Sequence, residues 1–401
     1  MTRTSNRKVS PMSAALARTL ACRTTLLAAL LSGTAVPVLA QEGDPIVIGY
    51  AAAMTGPLAT YDSVDGARCM IDRLNEAGGV LGRPLALEAR DMKSDAVLSS
   101  VVGQELIDMG VSAIIAPPSD DTAIPIAALA LPLNMAVMTV GSTQVQFPMA
   151  SPTNSYLTAF GDNLSAAASA QYAAEQGHKT VALMISRDFG SYGIALPEYW
   201  ADAFEHHGGT VVGRVNYNIG LSDYSAQVAE VAAMDPKPEL IVGGFISPEA
   251  GVMPRQFASA GMDVKFFGTD GFDDPNLLPI AGDAADTITF ATHGFPSEGS
   301  DLKAFYDDCT ARGYTVQNIF FGLAGETVLL LKGAIERAGS ADPAAINAAL
   351  AETENFKGIT SGSISYKGRA GVPSKELTIV QIQDGAFVPV AKFVPDYIPA
   401  P

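Results

Sequence analysis

The sequence predicts an α/β protein built on two parallel sheets, each covered by helices on both faces. Nine short, β-rich apolar runs recur along the chain, and segments of helical length separate them. The runs are almost continuously apolar, as expected for strands buried on both faces of a parallel sheet. Nine strands in about 360 residues suit two domains better than one core.

The first 40 residues predict an export signal. They contain five basic residues and no acid, followed by the apolar stretch "LLAALL" and the small-residue sequence "VLA" before Gln41. This order is typical of a cleaved signal peptide. We expect the signal peptide to span residues 1–40, with cleavage between Ala40 and Gln41. Met1 and Met12 are both acceptable starts.

The charge of the chain excludes several classes of partner. Cleavage of the signal peptide removes five of the 25 basic residues and none of the 42 acids, which changes the formal charge from −17 to −22. Such a chain is not expected to bind nucleic acid or anionic lipid. After the signal peptide, the chain contains no run that approaches the roughly 20 apolar residues needed to cross a bilayer. We therefore expect a soluble, exported protein.

Two cysteines, Cys69 and Cys309, follow the signal peptide. Both lie in segments of helical character, and their spacing says nothing about their proximity. In an oxidising compartment they can form one disulfide bond. The sequence favours the alternative of two separate buried thiols.

Strands and helices alternate from the start of the mature chain. In the first helix, Val64, Ala67, Ile71 and Leu74 share one face, and the pair Gly78-Gly79 supplies the C-terminal stop. The predicted strands are 46–52, 85–91, 111–117, 136–141, 180–186, 210–217, 240–246, 265–271 and 287–294.

The end of the chain has a different pattern. Two helices are predicted at 318–338 and 343–352. They are followed by three extended segments, "SGSISYKG", "KELTIVQIQDG" and "AFVPVAKFV", which are joined by turns that contain glycine. We predict a strand in each of these segments.

Enzyme signatures are absent from the sequence. It contains no Gly-x-Gly, no phosphate-binding loop and no Gly-x-Ser-x-Gly nucleophile motif. His178 and His293 are isolated, and His206 and His207 are adjacent, so the four histidines form no metal-binding set. We expect them in solvent or in the core. The chain is therefore predicted to be no enzyme and to need no cofactor or metal.

The loops that follow the strands are the predicted site, because carboxyl ends of parallel strands border the functional crevice. Ser119 follows the strand at 111–117 and leads into a helix that begins near Asp121. A helix start with a hydroxyl beside it suits an anion such as a carboxylate. The alternative is that Ser119, Asp120 or Asp121 simply caps the helix.

The next strand ends in a similar way. Gly141 allows close approach of the backbone, and Ser142 and Thr143 supply hydroxyl groups. Two such strand ends suggest one shared anionic group. Three aromatic residues on strand-end loops are candidates for closing over an apolar side chain, although any of them can be loop packing. They are Tyr61, Tyr192 and Phe245.

Asp270 stands between two glycines at the end of the strand predicted at 265–271. With hydroxyl donors on other loops, it is the expected partner of an ammonium group. Asp273 and Asp274 follow closely and are expected to be solvated or helix-capping acids.

Three ordered segments carry a resemblance to a known family: "IVIGYAAAMTGPLATYDS", "ELIVGGFISPEAGVMPRQFASAGM" and "FFGTDGFDDPNLLPIAG". The chain resembles the periplasmic substrate-binding proteins of ABC transporters for branched-chain amino acids and amides, the Leu/Ile/Val-binding family with the type I periplasmic-binding fold. The resemblance runs from residue 46 to at least residue 366. It implies two Rossmann-like lobes joined by three crossing strands, with the ligand in the cleft between them. The implied lobes are 41–158 plus 292–360, and 159–291 plus 361–401.

The resemblance also implies roles for the candidate residues. Ser119 and Thr143 match the positions that bind a ligand carboxylate, and Asp270 matches the acid that pairs with its ammonium, where the family often has glutamate. Backbone carbonyls at Pro117 and Gly141 fall where the family accepts from the ammonium. The wall positions around the ligand side chain match Tyr61, Tyr192 and Phe245.

The implied function is that of a periplasmic, monomeric receptor that delivers a small amino acid to a membrane permease. An alternative keeps the fold and changes the ligand, because Asp120, Asp121 and Asp270 together favour a cationic or uncharged solute such as an amide or urea-like compound. An aromatic acid and a role as a ligand sensor also stay open. A hydrolase that uses Asp270 as a base is disfavoured, because no nucleophile accompanies that acid.

Overall fold

The structure, a computed structural model, describes residues 43–401, and the predicted signal peptide lies outside these residues. Within this range the chain forms two sheets with helices packed on both faces. The predicted α/β class with two lobes is confirmed. We call the first sheet and its helices the first lobe, and the second sheet and its helices the second lobe.

The first sheet has five parallel strands in the order β2-β1-β3-β4-β5. Strand β1 pairs with β2 from Ile46 opposite Leu85 to Ala52 opposite Asp91. The strands are β1 (Ile46–Ala52), β2 (Leu85–Asp91), β3 (Ala113–Ala116), β4 (Val137–Thr139) and β5 (Ser155–Leu157).

Helices of the first lobe alternate with these strands. Ser63 caps the first helix by accepting a hydrogen bond from the N–H of Gly66, and Gly78 and Gly79 end it with φ of 105° and 76°. The helices between the strands are α1 (Val64–Glu76), α2 (Ala96–Asp108), α3 (Asp120–Ala130) and α4 (Gln146–Ala150).

The second sheet has seven strands in the order β12-β11-β10-β9-β8-β6-β7. Five strands, β6 to β10, are parallel to one another. Strands β11 and β12 extend the sheet in antiparallel pairing. The strands are β6 (Thr180–Ser186), β7 (Thr210–Tyr217), β8 (Leu240–Gly243), β9 (Lys265–Gly268), β10 (Ile288–Thr292), β11 (Leu377–Gln383) and β12 (Ala386–Phe393).

The remaining helices divide between the lobes. Helices α5 to α9 pack on the second sheet, whereas α10 to α12 join the core of the first lobe beside α1. They are α5 (Asp162–Glu175), α6 (Gly190–His206), α7 (Ser225–Ala232), α8 (Glu249–Ser259), α9 (Leu277–Ala281), α10 (Asp301–Ala311), α11 (Ile319–Ala338) and α12 (Pro343–Ala351). The chain therefore passes between the lobes three times: after β5, after β10 and before β11.

A buried polar network holds these crossings together. The ammonium of Lys375 donates to Oε1 of Glu326, to the carbonyl of Thr158 and to the hydroxyl of Thr360. Glu326 also accepts from the backbone N–H groups of Ile359 and Thr360. Because the network satisfies the buried ion pair on both sides, it can fix the path of the crossings without leaving an unpaired charge.

Most of the predicted elements are present, one predicted strand is absent and one strand was not predicted. The segment 361–368 is no strand: it forms only isolated bridges, between Phe356 and Ile364 and between Ser365 and Ser374, because its partners lie within its own loop. Strand β5 was not predicted, since it has only three residues. Among residues 43–401, no helix has both the length and the apolar character needed to cross a membrane.

The expectation of two separate thiols is also wrong. Cys69 of α1 and Cys309 of α10 form a disulfide bond, with Cα atoms 5.9 Å apart and both residues fully buried. Arg312, just after α10, also pairs with Glu76 at the end of α1. This proximity arises from packing across 240 residues of sequence, which spacing alone does not reveal.

Candidate functional site

The loops at the carboxyl ends of both sheets meet around a small cavity. Five of the predicted site residues line it: Tyr61, Gly141, Thr143, Tyr192 and Asp270. Residues from both lobes complete the lining, namely Leu58, Pro118, Gln144, Phe189, Ile246 and Gly271. The strand-end rule therefore brings together residues that are far apart in the sequence.

Asp270 lies at the start of a short 3-10 turn that follows β9 and is 3% exposed. Its Oδ2 atom lies 3.2 Å from Nε2 of His293. Its Oδ1 atom is buried and has no hydrogen-bond partner among residues 43–401. A buried carboxylate oxygen without a partner is costly, so this atom is available for a donor supplied by a ligand.

His293 is the main site residue that the sequence analysis left in solvent or in the core. It follows β10, is fully buried, and stacks on Phe160 with ring centroids 3.6 Å apart. The N–H of Phe160 points at Nδ1 at 3.5 Å, which fits a neutral ring that donates from Nε2 to Asp270. Burial lowers the pKa of His293, although the Asp270 carboxylate opposes this effect. The neutral ring leaves the negative charge of Asp270 uncompensated.

Asp162, the first residue of α5, is a second buried acid that the sequence analysis missed. Neither of its carboxyl oxygens has a hydrogen-bond partner in the described part of the chain, and its N–H donates to the carbonyl of Thr143 at 2.7 Å. Burial raises the pKa of Asp162 well above its ordinary value. The Thr143 hydroxyl offsets part of this rise, and the charges of Asp270 and Asp120 add to it. Burial therefore favours the uncharged form of Asp162 in the folded protein.

The hydroxyl groups of Ser119 and Ser142, both predicted to bind a carboxylate, already have acceptors within the chain. Ser119 occupies the N-cap position of α3, but its hydroxyl donates to Asp121 instead of capping a backbone N–H. The hydroxyl of Ser142 donates to Oε1 of Gln144 at 2.5 Å. Of the three predicted hydroxyl residues, Thr143 lines the cavity.

Gly141 lets two loops of the first lobe approach each other. A Cβ atom at this position would lie 2.2 Å from the carbonyl oxygen of Tyr61 and 2.9 Å from Cδ1 of Phe320. Because backbone cannot give way as a flexible side chain does, a side chain at residue 141 would displace Tyr61. The glycine therefore determines where this aromatic wall stands.

Two tyrosines form polar as well as apolar walls. The Tyr61 hydroxyl donates to the carbonyl of Gly271 at 3.2 Å and accepts from the N–H of Ser247 at 2.8 Å. The Tyr192 hydroxyl accepts from the N–H of Gly271 at 3.2 Å and lies 2.9 Å from the Thr269 hydroxyl. Tyr61 belongs to the first lobe and its partners to the second, so it links the lobes directly.

Two predicted residues occupy other positions. Phe245 is fully buried in the core of the second lobe, where it packs against Phe266 and Phe272, and its neighbour Ile246 lines the cavity. Pro118 rather than Pro117 borders the cavity in the first lobe. At both strand ends, the residue that lines the cavity is one position later in the sequence than predicted.

A further contact joins the lobes beside the cavity. The Ser191 hydroxyl at the start of α6 donates to Oδ2 of Asp120 at 2.6 Å. Burial raises the pKa of Asp120, and the Ser191 hydrogen bond opposes that rise. Asp120 thus lies at the start of a helix in the opposite lobe, whose positive end opposes the effect of burial.

The cavity is small because these contacts draw the loops together. Its volume is about 20 Å³, which is room for about one water molecule. Small-molecule sites usually enclose about 300 Å³ or more. Entry of a larger ligand therefore requires the strand-end loops of the two lobes to separate.

Asp273 and Asp274 are not solvated, contrary to the prediction. Asp274 is 1% exposed, and Asp273 accepts from the Thr292 hydroxyl at 2.8 Å. Burial raises the pKa of Asp273 to about 6. Helix α11 of the first lobe begins against the turn that contains the two acids and covers them. No pattern in the sequence indicated this contact. Asp274 accepts from the N–H of Asn276 at 2.8 Å, just before α9, but no side chain caps that helix.

Metal binding has no support in the described residues, which contain no cluster of three or more His, Cys, Asp or Glu side chains placed to hold an ion.

Two α/β lobes with facing strand ends, three crossings and a buried acid in the cleft define a two-lobed ligand-binding protein. The chain belongs to the periplasmic binding protein family, whose model matches residues 45–386. The family resemblance seen in the sequence is confirmed.

Known proteins of this kind are similar over nearly their whole length. The Leu/Ile/Val-binding protein BraC3 of Rhizobium johnstonii is 27% identical over 371 residues, which cover 91% of this chain and 98% of that protein. The crystal structure of a leucine binding protein, LivK from Thermotoga maritima, superposes with a TM-score of 0.79 at 26% identity and covers 88% of this chain and 99% of its own. Both proteins are binding proteins rather than enzymes.

A third similar structure carries a different ligand. A solute binding protein of an ABC transporter from R. palustris, in complex with 4-hydroxybenzoate, superposes with a TM-score of 0.77 at 22% identity and covers 88% of this chain and 99% of its own. At this identity the likeness shows the fold alone. The shared fold thus accommodates ligands of different chemistry.

Proposed function

We propose that the protein is a periplasmic solute receptor of an ABC importer that binds a small α-amino acid, of the branched-chain type, between its lobes. The observation that carries this proposal is the unpaired, buried Oδ1 atom of Asp270 on the wall of the interlobe cavity. An ammonium group is the donor best suited to this atom, because charge-assisted hydrogen bonds are strong in a desolvated site.

The other groups around the cavity fit this ligand. Gly141 and Thr143 belong to the opposite lobe and line the same cavity as Asp270. Leu58, Phe189 and Ile246 offer an apolar surface for an aliphatic side chain. The names of the similar proteins, which include Leu/Ile/Val-binding and leucine-binding proteins, support the same class of ligand.

Calorimetric titration of the mature chain with leucine tests this function. Two analogues serve as controls: 4-methylpentanoate lacks the amine, and 3-methylbutylamine lacks the carboxylate. We expect binding of leucine, and we expect Asp270→Asn to weaken it by about 30-fold or more, since it removes one partner of a buried charge pair. Asp283→Asn, a change at an exposed acid, is the matched control and should bind leucine as the wild type does.

Two results would contradict the proposal. Equal affinity of Asp270→Asn and wild type for the best ligand would show that Asp270 is not the ammonium partner. Equal stabilisation of the protein by leucine and 4-methylpentanoate in thermal unfolding would show that the ammonium group is not recognised.

A second candidate ligand class is an uncharged amide or urea-like solute. Asp270 lines the cavity, Asp120 lies beside it against Ser191, and the hydroxyls of Ser119 and Ser142 are committed to acceptors of the chain. This arrangement disfavours a ligand whose only polar group is a carboxylate, such as an aromatic acid. The same titration, extended to small amides, urea and 4-hydroxybenzoate, separates these classes.

The partner is proposed to be the membrane permease of the importer, with the receptor acting as a monomer. Uptake of radiolabelled ligand by host cells that lack this gene tests the transport role. Loss of uptake supports delivery to a permease, whereas normal uptake with a loss of ligand-dependent gene expression supports the alternative of a sensor.

A further inference from the structure

A second cavity, which we call the lateral cavity, lies where α10 and the start of α11 approach the second sheet. Its volume is about 320 Å³, within the range of small-molecule sites. Tyr306, Val316 and Ile319 on one wall pack with the core of the first lobe, whereas Phe290 and Phe387 on the other pack with the core of the second. A molecule in this cavity would contact both lobes.

Asp274 provides an unsatisfied polar group on the wall of the lateral cavity. Its Oδ1 atom accepts from the backbone and side-chain nitrogens of Asn276 at 2.8 and 3.0 Å. Its Oδ2 atom is buried and finds no hydrogen-bond partner in residues 43–401. With the side chain buried and one oxygen satisfied, the second oxygen needs a donor from outside the chain.

The charge on the wall is wholly negative. Asp273 and Asp274 line the cavity, and among the described residues that line it there is no lysine, arginine or histidine. The remaining wall is largely apolar and includes the rings of Phe290, Phe295 and Tyr306. Aromatic faces attract cations, and their area also suits a compact apolar body.

A metal ion fits these walls poorly. Hard cations such as Ca²⁺ take six or more oxygen ligands, and no group of three or more His, Cys, Asp or Glu side chains placed for a metal occurs within residues 43–401. An ammonium group, in contrast, needs few acceptors and tolerates apolar neighbours. The walls therefore favour an organic cation.

We propose that the lateral cavity is a second ligand site, which binds a small organic monocation with its ammonium on Asp274 and its apolar body between the two lobes. This site is separate from the cleft that holds Asp270. Nothing in its chemistry depends on the identity of the cleft ligand.

One turn connects the two sites. Asp270 begins the turn on the cleft side; the N–H of Asp273 then donates to the Asp270 carbonyl at 2.9 Å, and the N–H of Asp274 to the Phe272 carbonyl at 2.9 Å. A cation in the lateral cavity holds this turn and both lobes in the arrangement described here, so it favours that arrangement. This consequence for the cleft rests on the proposed function, whereas binding in the lateral cavity does not.

Benzylamine, which is a cation near pH 7, is a suitable probe, and benzyl alcohol is its neutral counterpart. In calorimetric titration of the mature wild-type chain, we expect benzylamine to bind at least about 10-fold more tightly than benzyl alcohol. Asp274→Asn, which keeps the shape and removes the charge, should weaken benzylamine binding at least about 10-fold and leave benzyl alcohol binding unchanged.

Two further variants test whether the probes occupy the lateral cavity. Val316→Phe places a larger side chain in the cavity and keeps both carboxyls, so it should weaken binding of both probes even if Asp274→Asn fails to fold. Asp270→Asn leaves the residues that line the lateral cavity in place and should still bind benzylamine, whether or not leucine binding depends on Asp270. Far-ultraviolet circular dichroism checks that each variant is folded.

Several results would overturn the inference. They are no binding of benzylamine to the wild type at millimolar concentration, equal affinity for benzyl alcohol, and unchanged binding by Asp274→Asn or Val316→Phe. Loss of benzylamine binding in Asp270→Asn would assign the probe to the cleft. Displacement of the probe by Ca²⁺ would assign the acids to a metal ion.

Discussion

The ammonium group of Lys375 lies 2.5 Å from Oε1 of Glu326, and both side chains are completely buried where the chain crosses between the lobes. Burial lowers the pKa of Lys375, and the charge of Glu326 opposes this effect. Breaking a buried pair leaves an uncompensated charge, which costs far more than breaking a pair in solvent.

Lys375→Met should therefore lower the free energy of unfolding by about 3–5 kcal/mol, measured by urea denaturation. Lys392→Met is the matched control, because Lys392 pairs with Glu376 in solvent, and it should cost less than about 1 kcal/mol. The double variant Lys375→Met/Glu326→Leu should recover only part of the loss, since the N–H groups of Ile359 and Thr360 then lack their acceptor. Equal costs for the two lysine variants would refute the role of the buried pair.

Tyr61→Phe should weaken the contact between the lobes. The change leaves the N–H of Ser247 and the carbonyl of Gly271 without their shared partner, at a cost of about 1–2 kcal/mol to the closed arrangement. Small-angle X-ray scattering should then show a larger radius of gyration for the ligand-free protein. Tyr314→Phe, which removes a hydroxyl that bonds Asp72 within the first lobe, should leave the scattering curve unchanged.

Removal of the disulfide bond should lower stability by about 2–5 kcal/mol. Cys69→Ser, Cys309→Ser and the double variant should all show the same loss in urea denaturation, because each removes the same bond. Reductant should destabilise the wild type to a similar extent and leave the variants unaffected. A count of two free thiols in the unfolded, unreduced mature chain would show that the bond does not form.

The stability of the protein should depend on pH through Asp273. Burial raises the pKa of this carboxyl in the folded protein from 3.8 to about 6. Asp273 therefore contributes most to the free energy of unfolding below about pH 4, where it is protonated in both states. As the pH rises through about 6, the free energy of unfolding falls by up to about 3 kcal/mol.

Asp273→Asn removes this titration. From about pH 4 to about pH 8, the free energy of unfolding should fall in both proteins. The fall should be smaller in the variant, by up to about 3 kcal/mol. Urea denaturation at both pH values measures the difference. Parallel changes in the two proteins would contradict the assignment.

The sequence predicted the fold wherever a strand is a long apolar run. The bounds of β1, β2, β6 and β7 agree with the structure residue for residue. Burial on both faces of a parallel sheet explains the continuous apolar signal of β1 and β6, whereas β2 and β7 are edge strands and are only partly buried. Strand β5 has no such signal: three residues are too few, and pairing with β4 defines it. Tertiary pairing, rather than local preference, also decided that 361–368 is a loop.

The site was predictable where position along a strand is enough. The rule that strand ends face the crevice located Gly141, Thr143 and Asp270. The same rule applied to β10 points to His293, so the signal for this residue was present. Asp162 and Asp274 were different, because their burial depends on contacts with distant segments that no local pattern records.

The bond between Cys69 and Cys309 limits when the protein can mature. Synthesis proceeds from the N-terminus, so Cys69 is available early, whereas Cys309 follows only after all the strands from β1 to β10. Residues 41–401 contain no other cysteine, so no competing pairing exists among them. A single oxidation step is therefore sufficient, without an isomerase to correct it.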